Sequence, residues 1–118
     1  MKRVLPKDIY SGYPCSVVAI GCALGIGVRG DLFSDELKSD GYLSLKAMNS
    51  LVRSKLKVIK RVNFKRGERP ALREWAHENI GKKAIICLEG HFIYFDGKDY
   101  LSFFWNDSDK IVTVWYIE

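Results

Sequence analysis

The pattern of apolar and polar positions predicts that the C-terminal part of the chain is built from strands. Four short apolar stretches there are separated by turn residues, which is typical of strands in a sheet. They are KAIICLE, HFIYFDG, YLSFFWND and KIVTVWYI. The sequence DGKD between the second and the third stretch predicts a tight hairpin turn. These segments predict an antiparallel sheet.

Helical patterns precede these strands. Pro14 suits the first turn of a helix, and apolar residues then recur at helical spacing, so a buried helix is predicted from about Pro14 to Gly25. A second helix follows a Ser44 cap in LSLKAMNSLVRSKL, and a third is RPALREWAHENIG. Between them KVIKRVNF predicts an edge strand, Ser34 is expected to cap a short helical turn, and the first dozen residues are expected to be irregular. The order predicts an α+β fold with N-terminal helices packed on a C-terminal antiparallel sheet.

The size of the chain fits one domain that spans residues 1–118. Its longest apolar run, from Val17 to Val28, is too short to cross a bilayer, which takes about 20 residues. The N-terminal MKRVLPKD has no apolar core of a signal peptide. We therefore expect a cytoplasmic protein with no membrane span.

The cysteines and histidines do not form a metal-binding pattern. There are three cysteines, an odd number that favours reduced thiols, and no C-x-x-C pair. His77 and His91 are far apart in the sequence, so neither a zinc site nor any other cofactor is expected. Cys22 and Cys87 are predicted to lie in the core, and His77 on the surface of the third helix.

The net charge of +5 is concentrated in residues 53–73, which are densely basic and contain one acid, Glu68. The plainer interpretation is a solvated surface, because aromatic residues do not alternate with the basic ones as they do in many RNA-binding sites. The alternative is a surface that binds nucleic acid or an acidic protein partner. Both interpretations remain open.

Cys15 and His91 are the candidates for chemistry. Cys15 would lie at the N-terminus of the first helix, where the helix dipole and the unpaired N–H groups stabilise a thiolate. The same N–H groups can bind an oxyanion. A cysteine nucleophile also needs a base and a group that orients the base. His91 opens a strand directly after Gly90 and is the candidate base. Either residue alone more often has a purely structural role.

The hairpin register suggests which residue orients His91. If DGKD forms a two-residue turn, His91 lies opposite Phe104. Asn106 then lies diagonally from His91 on the same face of the sheet, within reach of a long side chain. Asp107 points to the other face unless the strand bulges or ends there.

Two segments carry a resemblance to a known family: PCSVVAIGCA and GHFIYFDGKDYLSFFWNDSD. With the order of elements, they resemble papain-fold cysteine peptidases. They are most similar to the C39-like branch, which cleaves leader peptides at double-glycine sites. The resemblance implies a papain-like fold and a peptide or protein substrate. It also implies Cys15 as the nucleophile, His91 as the general base and Asp107 as the orienting group, with Asn106 as the alternative from the register.

The chain departs from the family pattern at two positions. Ile9 stands where the family has the glutamine that completes the oxyanion hole, and a backbone N–H or the Ser11 hydroxyl would have to replace it. Ser108 stands in place of the usual proline. Two functions are therefore open: a cysteine peptidase, or an inactive papain-like scaffold that binds nucleic acid or protein through the basic residues 53–73.

Overall fold

A sheet flanked by helices forms the centre of the protein. A computed structural model describes residues 2–4, 15–25, 44–102 and 105–118. The strands in these segments are β1 (Lys2–Val4), β2 (Val58–Asn63), β3 (Lys83–Leu88), β4 (His91–Phe95), β5 (Tyr100–Ser102) and β6 (Ile111–Ile117). The helices are α1 (Cys15–Leu24), α2 (Leu45–Lys55) and α3 (Leu72–Glu78), with a 3₁₀ turn at Arg66–Glu68.

The order of the strands in the sheet is β1-β5-β4-β3-β6-β2. Every pairing among β2 to β6 is antiparallel, and β1 pairs with β5 in parallel. The predicted α+β arrangement is therefore confirmed, and β2 lies at an edge of the sheet as predicted. The expectation of an irregular N-terminus is wrong for residues 2–4, because parallel pairing with β5 recruits them into the sheet. A three-residue strand carries too little pattern to be recognised in the sequence.

The hairpin between β4 and β5 has the predicted register. Tyr94 pairs with Leu101 and Phe95 pairs with Tyr100, on either side of a two-residue turn. Gly97 in that turn has a φ of 101°, a conformation that favours glycine. The position opposite His91 is residue 104, which lies outside the described residues.

The two faces of the sheet are covered by different helices. We call the face covered by α1 and α2 the front face and the face covered by α3 the back face. On the front face the helices contribute Val18, Ala19, Ile20, Met48, Leu51 and Val52 to a cluster with sheet residues that include Phe92 and Trp115. On the back face α3 contributes Leu72, Trp75 and Ala76 to a cluster that includes Ile93 and Phe95. Strand β3 is covered on both faces, which explains why the five residues after the exposed Lys83, AIICL, are continuously apolar.

Local sequence signals account for the helices. Ser44 caps α2 by accepting a hydrogen bond of 3.1 Å from the N–H of Ala47, as its position before the apolar stripe predicts. Helix α1 begins at Cys15, one residue later than predicted, and Gly25 with a φ of 74° ends it. The turn predicted at Ser34 lies outside the described residues. None of the helices in the described segments has the length and apolarity to cross a bilayer.

Candidate functional site

A cleft of about 650 Å³ lies at the end of the sheet where β3 turns into β4. The turn has only two residues, because Leu88 pairs with His91, and Gly90 adopts a φ of 78° within it. His91 and Asn106 both line the cleft, together with Glu89, Ser108, Asp109 and Lys110. Two of the residues selected from the sequence are thus brought to one site, although they are separated by a hairpin.

Ser102 holds the imidazole ring of His91. The Nε2 atom of His91 lies 2.7 Å from the hydroxyl oxygen of Ser102, which is a hydrogen-bond distance. Ser102 is buried, with 3% of its surface exposed, whereas His91 is half-buried. Sequence reasoning missed Ser102. The predicted register could have identified Ser102. A strand residue has two diagonal neighbours on its own face of the sheet, and for His91 these are residues 102 and 106.

Asn106 belongs to a loop that is fixed to the start of α3. The Asn106 N–H donates to the carboxylate of Asp109 at 3.0 Å, and the Asp109 N–H donates to the Asn106 carbonyl at 2.9 Å. The N–H groups of Leu72 and Arg73 donate to the carbonyls of Asp109 and Asp107. The loop therefore satisfies donors at the start of α3 that the helix itself leaves unpaired, and α3 fixes its position relative to the cleft.

Asp107 lies close to the buried side chain of Tyr100. Burial raises the pKa of the Tyr100 hydroxyl, and the negative charge of Asp107 raises it further. The same hydroxyl donates a 2.6 Å hydrogen bond to the carbonyl of Leu72. Asp107 is half-buried in this arrangement. Its pairing with His91 stays a prediction.

Cys15 is the first residue of α1 and is half-buried against the front cluster. The position of Cys22, near the other end of α1, follows from its effect on Tyr94. Burial is the largest cause that raises the pKa of the Tyr94 hydroxyl, and Asp96 and then Cys22 raise it further. Cys22 therefore lies near the hydroxyl of Tyr94. Cys15 is seven residues earlier, about 10 Å along a helix that rises 1.5 Å per residue.

Cys15 and His91 belong to different faces of the sheet. Alternation along β4 places His91 on the back face with Ile93 and Phe95, whereas Cys15 packs on the front. A contact between thiol and imidazole has to pass round the end of the sheet, where β4 begins. The pairing of Cys15 with His91 stays a prediction.

The remaining titratable candidates lie where the sequence predicted. Cys87 is buried, with 2% of its surface exposed, and Cys22 is half-buried against the same front cluster. No disulfide bond joins the three cysteines, all of which lie in described segments. His77 is exposed on α3. Ile9 and Ser11 lie outside the described residues. Within the segments that the structure describes, no three histidine, cysteine, aspartate or glutamate side chains converge as metal ligands.

The two basic residues of β2, Lys60 and Arg61, lie on opposite faces of the sheet. Lys60 pairs with Tyr116 and places its ammonium 5.0 Å from that ring on the back face. Arg61 pairs with Trp115 and places its guanidinium 5.3 Å from the indole on the front face. A bulge at the exposed Ile59 precedes both residues. The alternation of β2 thus divides the positive charge between the two faces of the sheet.

Comparisons of this chain with protein-family models, with characterised proteins and with solved structures found no match.

Proposed function

We propose that this protein is a papain-like cysteine peptidase in which Cys15 is the nucleophile and His91 the general base. The observation that supports this most is the anchored imidazole of His91. It projects into a cleft at the end of the sheet, and Ser102 holds it through Nε2. A ring fixed through one nitrogen presents the other in a defined direction, as a catalytic base requires.

The tautomer of His91 follows from the proposed role. When Nε2–H donates to the Ser102 oxygen, Nδ1 carries the lone pair and accepts the proton of the Cys15 thiol. Ser102 is then a positioning residue, because it acts through the ring and not on the substrate. Asn106, which lines the same cleft, is available to contact the substrate or the ring.

The proposed reaction has two steps. The Cys15 thiolate attacks the carbonyl carbon of a peptide bond, and protonated His91 gives its proton to the departing amine as the C–N bond breaks. Water then attacks the thioester while His91 accepts a proton from it, the C–S bond breaks to release the carboxylic acid product, and the imidazolium of His91 returns the proton to the Cys15 sulfur. N–H groups at the start of α1 stabilise the oxyanion in both steps.

A peptide-cleavage assay tests this proposal. The protein is incubated with a complex mixture of peptides, and new termini are identified by mass spectrometry. We expect cleavage by the unmodified chain and by Cys22→Ala, which removes a thiol on the same helix, but no cleavage by Cys15→Ala. Equal cleavage by Cys15→Ala and the unmodified chain would refute the assignment of the nucleophile.

The second candidate function is the binding of nucleic acid or an acidic protein through basic residues 53–73. The observation that favours it is the pair Arg53 and Arg61, whose guanidinium groups lie round one indole on the front face. This function needs no catalytic thiol. Unchanged binding by Cys15→Ala would therefore separate it from the peptidase proposal.

A further inference from the structure

Two arginines from different elements are linked to the side chain of Trp115, Arg61 directly and Arg53 through Asn49. The Arg61 guanidinium lies 5.3 Å from the centre of the indole ring. On the edge of that ring, Nε1–H donates to the side-chain oxygen of Asn49 at 2.8 Å. The same oxygen accepts a hydrogen bond of 3.2 Å from the Nε of Arg53. This chain of short contacts brings the Arg53 and Arg61 guanidinium groups to one place on the front face.

Both arginines are held through Nε. Arg53 donates through Nε to Asn49, and Arg61 donates through Nε to the side-chain oxygen of Asn63 at 3.1 Å. That oxygen also accepts from the hydroxyl of the buried Thr113 at 3.0 Å. Each asparagine therefore fixes one guanidinium to the protein interior. The terminal nitrogens, which form the fork that binds phosphate, lie at the far end of each group.

Further exposed basic residues belong to α2 and to the segment just after it. Arg53 is exposed and Arg61 half-buried, and Lys46 and Lys57 are exposed on the same helix and just after it. The carboxylate of Glu118 lies 3.4 Å from the Lys57 ammonium, which offsets part of that charge. A pre-fixed pair of guanidinium groups loses little entropy when an anion binds.

We propose that Arg53 and Arg61 form a binding site for the phosphodiester backbone of a single-stranded nucleic acid. Each guanidinium has the geometry to bind one phosphate through two N–H groups. The Arg61 guanidinium lies 5.3 Å from the centre of the Trp115 ring, and unpaired bases of single strands commonly stack on arginine guanidinium planes. The inference rests on the second candidate function and identifies the residues that perform it.

The test is the salt dependence of binding to a labelled 20-nucleotide oligothymidine, followed by fluorescence anisotropy at 50 and 200 mM salt. We expect the double variant Arg53→Gln, Arg61→Gln to bind more weakly. The slope of log K against log salt should fall in magnitude by about 1.4, because two phosphate contacts to a single strand are lost. The control is Lys60→Gln, Arg73→Gln, which removes the same charge but lies on the back face and on α3. It should leave the slope within about 0.5 of the unmodified value.

The outcomes separate the failure of the site from the failure of the function. If both double variants weaken binding equally, the Arg53–Arg61 site is overturned, and the result indicates non-specific binding to a basic surface. Displacement of the oligonucleotide by polyglutamate at the same charge concentration would overturn the phosphate site in favour of an acidic protein partner. No binding at 50 mM salt would overturn both the site and the second candidate function. Melting temperatures of all variants show whether each remains folded.

Discussion

The Nε2 atom of His91 lies 2.7 Å from the hydroxyl oxygen of Ser102. Ser102 belongs to the neighbouring strand and lies two residues from the position opposite His91. This contact joins the first residue of β4 to the last residue of β5. In the proposed mechanism Ser102 positions His91, and the roles predicted for Asn106 and Asp107 stay predictions.

The first prediction concerns Ser102→Ala. Loss of the hydroxyl removes the hydrogen bond that holds Nε2 of the His91 ring, so we expect alkylation of Cys15 at pH 6 to slow. The free energy of unfolding should fall by about 1 kcal/mol, the typical contribution of one such hydrogen bond. Ser102→Thr keeps a hydroxyl and should restore most of the alkylation rate, which a purely structural role for Ser102 would not explain.

Ser54→Ala is the matched control for that variant. Ser54 donates a 2.9 Å hydrogen bond to the carbonyl of Leu51 within α2, so its replacement also removes one hydroxyl contact. We expect no change in the alkylation rate of Cys15. Equal slowing by Ser54→Ala and Ser102→Ala would show that general loosening of the protein is the cause.

The second prediction separates Asn106 from Asp107. Asn106 lines the cleft with His91, whereas the charge of Asp107 acts on Tyr100. We therefore expect Asn106→Ala to reduce cleavage of peptides more than Asp107→Asn does. The measurement is kcat/KM on a peptide found in the cleavage assay, with the melting temperature of each variant as the folding control. A larger loss for Asp107→Asn would restore the assignment that the family resemblance implies.

The sequence predicted the strands and their pairing correctly where the apolar periodicity and the turn residues agree. The register of the β4–β5 hairpin followed from DGKD alone, because a two-residue turn fixes every pair that follows it. The partner of His91 did not follow, because the register gives two diagonal neighbours and long side chains reach either one. The sequence left Asn106 and Asp107 open as the orienting group, and both stay predictions, whereas the contact of 2.7 Å with the buried Ser102 was not foreseen.

The positions of the positive charges on the folded protein could not be predicted from the sequence. Residues 53–73 are continuous in the chain and predict one basic surface. Alternation along β2 instead directs Lys60 to the back face and Arg61 to the front face. Neither side-chain direction could be assigned until the pairing of β2 with β6 and the bulge at Ile59 were known.

The third prediction is a loss of stability in alkaline solution that depends on Tyr100. Burial, followed by the charge of Asp107, raises the pKa of Tyr100 in the folded state above the usual value near 10. Its neutral form is therefore stabilised by folding. This stability is fully present below about pH 10 and is lost as the pH rises, because the unfolded chain releases the proton first.

Tyr100→Phe tests that prediction. It removes the titrating group and the hydrogen bond to Leu72, so the free energy of unfolding at pH 8 should fall by about 1 kcal/mol. Between pH 8 and pH 11 the variant should then lose less stability than the unmodified chain. The raised pKa values of Tyr94 and Tyr116 will leave some alkaline loss in both proteins. Parallel pH profiles in urea titrations would contradict the placement of Tyr100.

The fourth prediction compares two glycines. Gly97 has a φ of 101°, and a Cβ on it would lie 3.2 Å from the Cα of Gly81. Gly97→Ala should therefore cost more than about 1 kcal/mol of folding free energy. A Cβ on Gly67 would meet no other part of the described chain within 4 Å, so Gly67→Ala is the control and should be close to neutral. Equal urea midpoints for the two variants would contradict the turn geometry at Gly97.

The alkylation of Cys15 tests the central proposal most directly. Iodoacetamide is added at pH 6, and the modification of each cysteine is followed by mass spectrometry. We expect Cys15 to react well ahead of Cys22 and Cys87, and His91→Ala to slow Cys15 alone, because the imidazolium that stabilises the thiolate is lost. A Cys15 that reacts no faster than a cysteine in an unstructured peptide, and that is unaffected by His91→Ala, would show that the thiol and the imidazole do not act together.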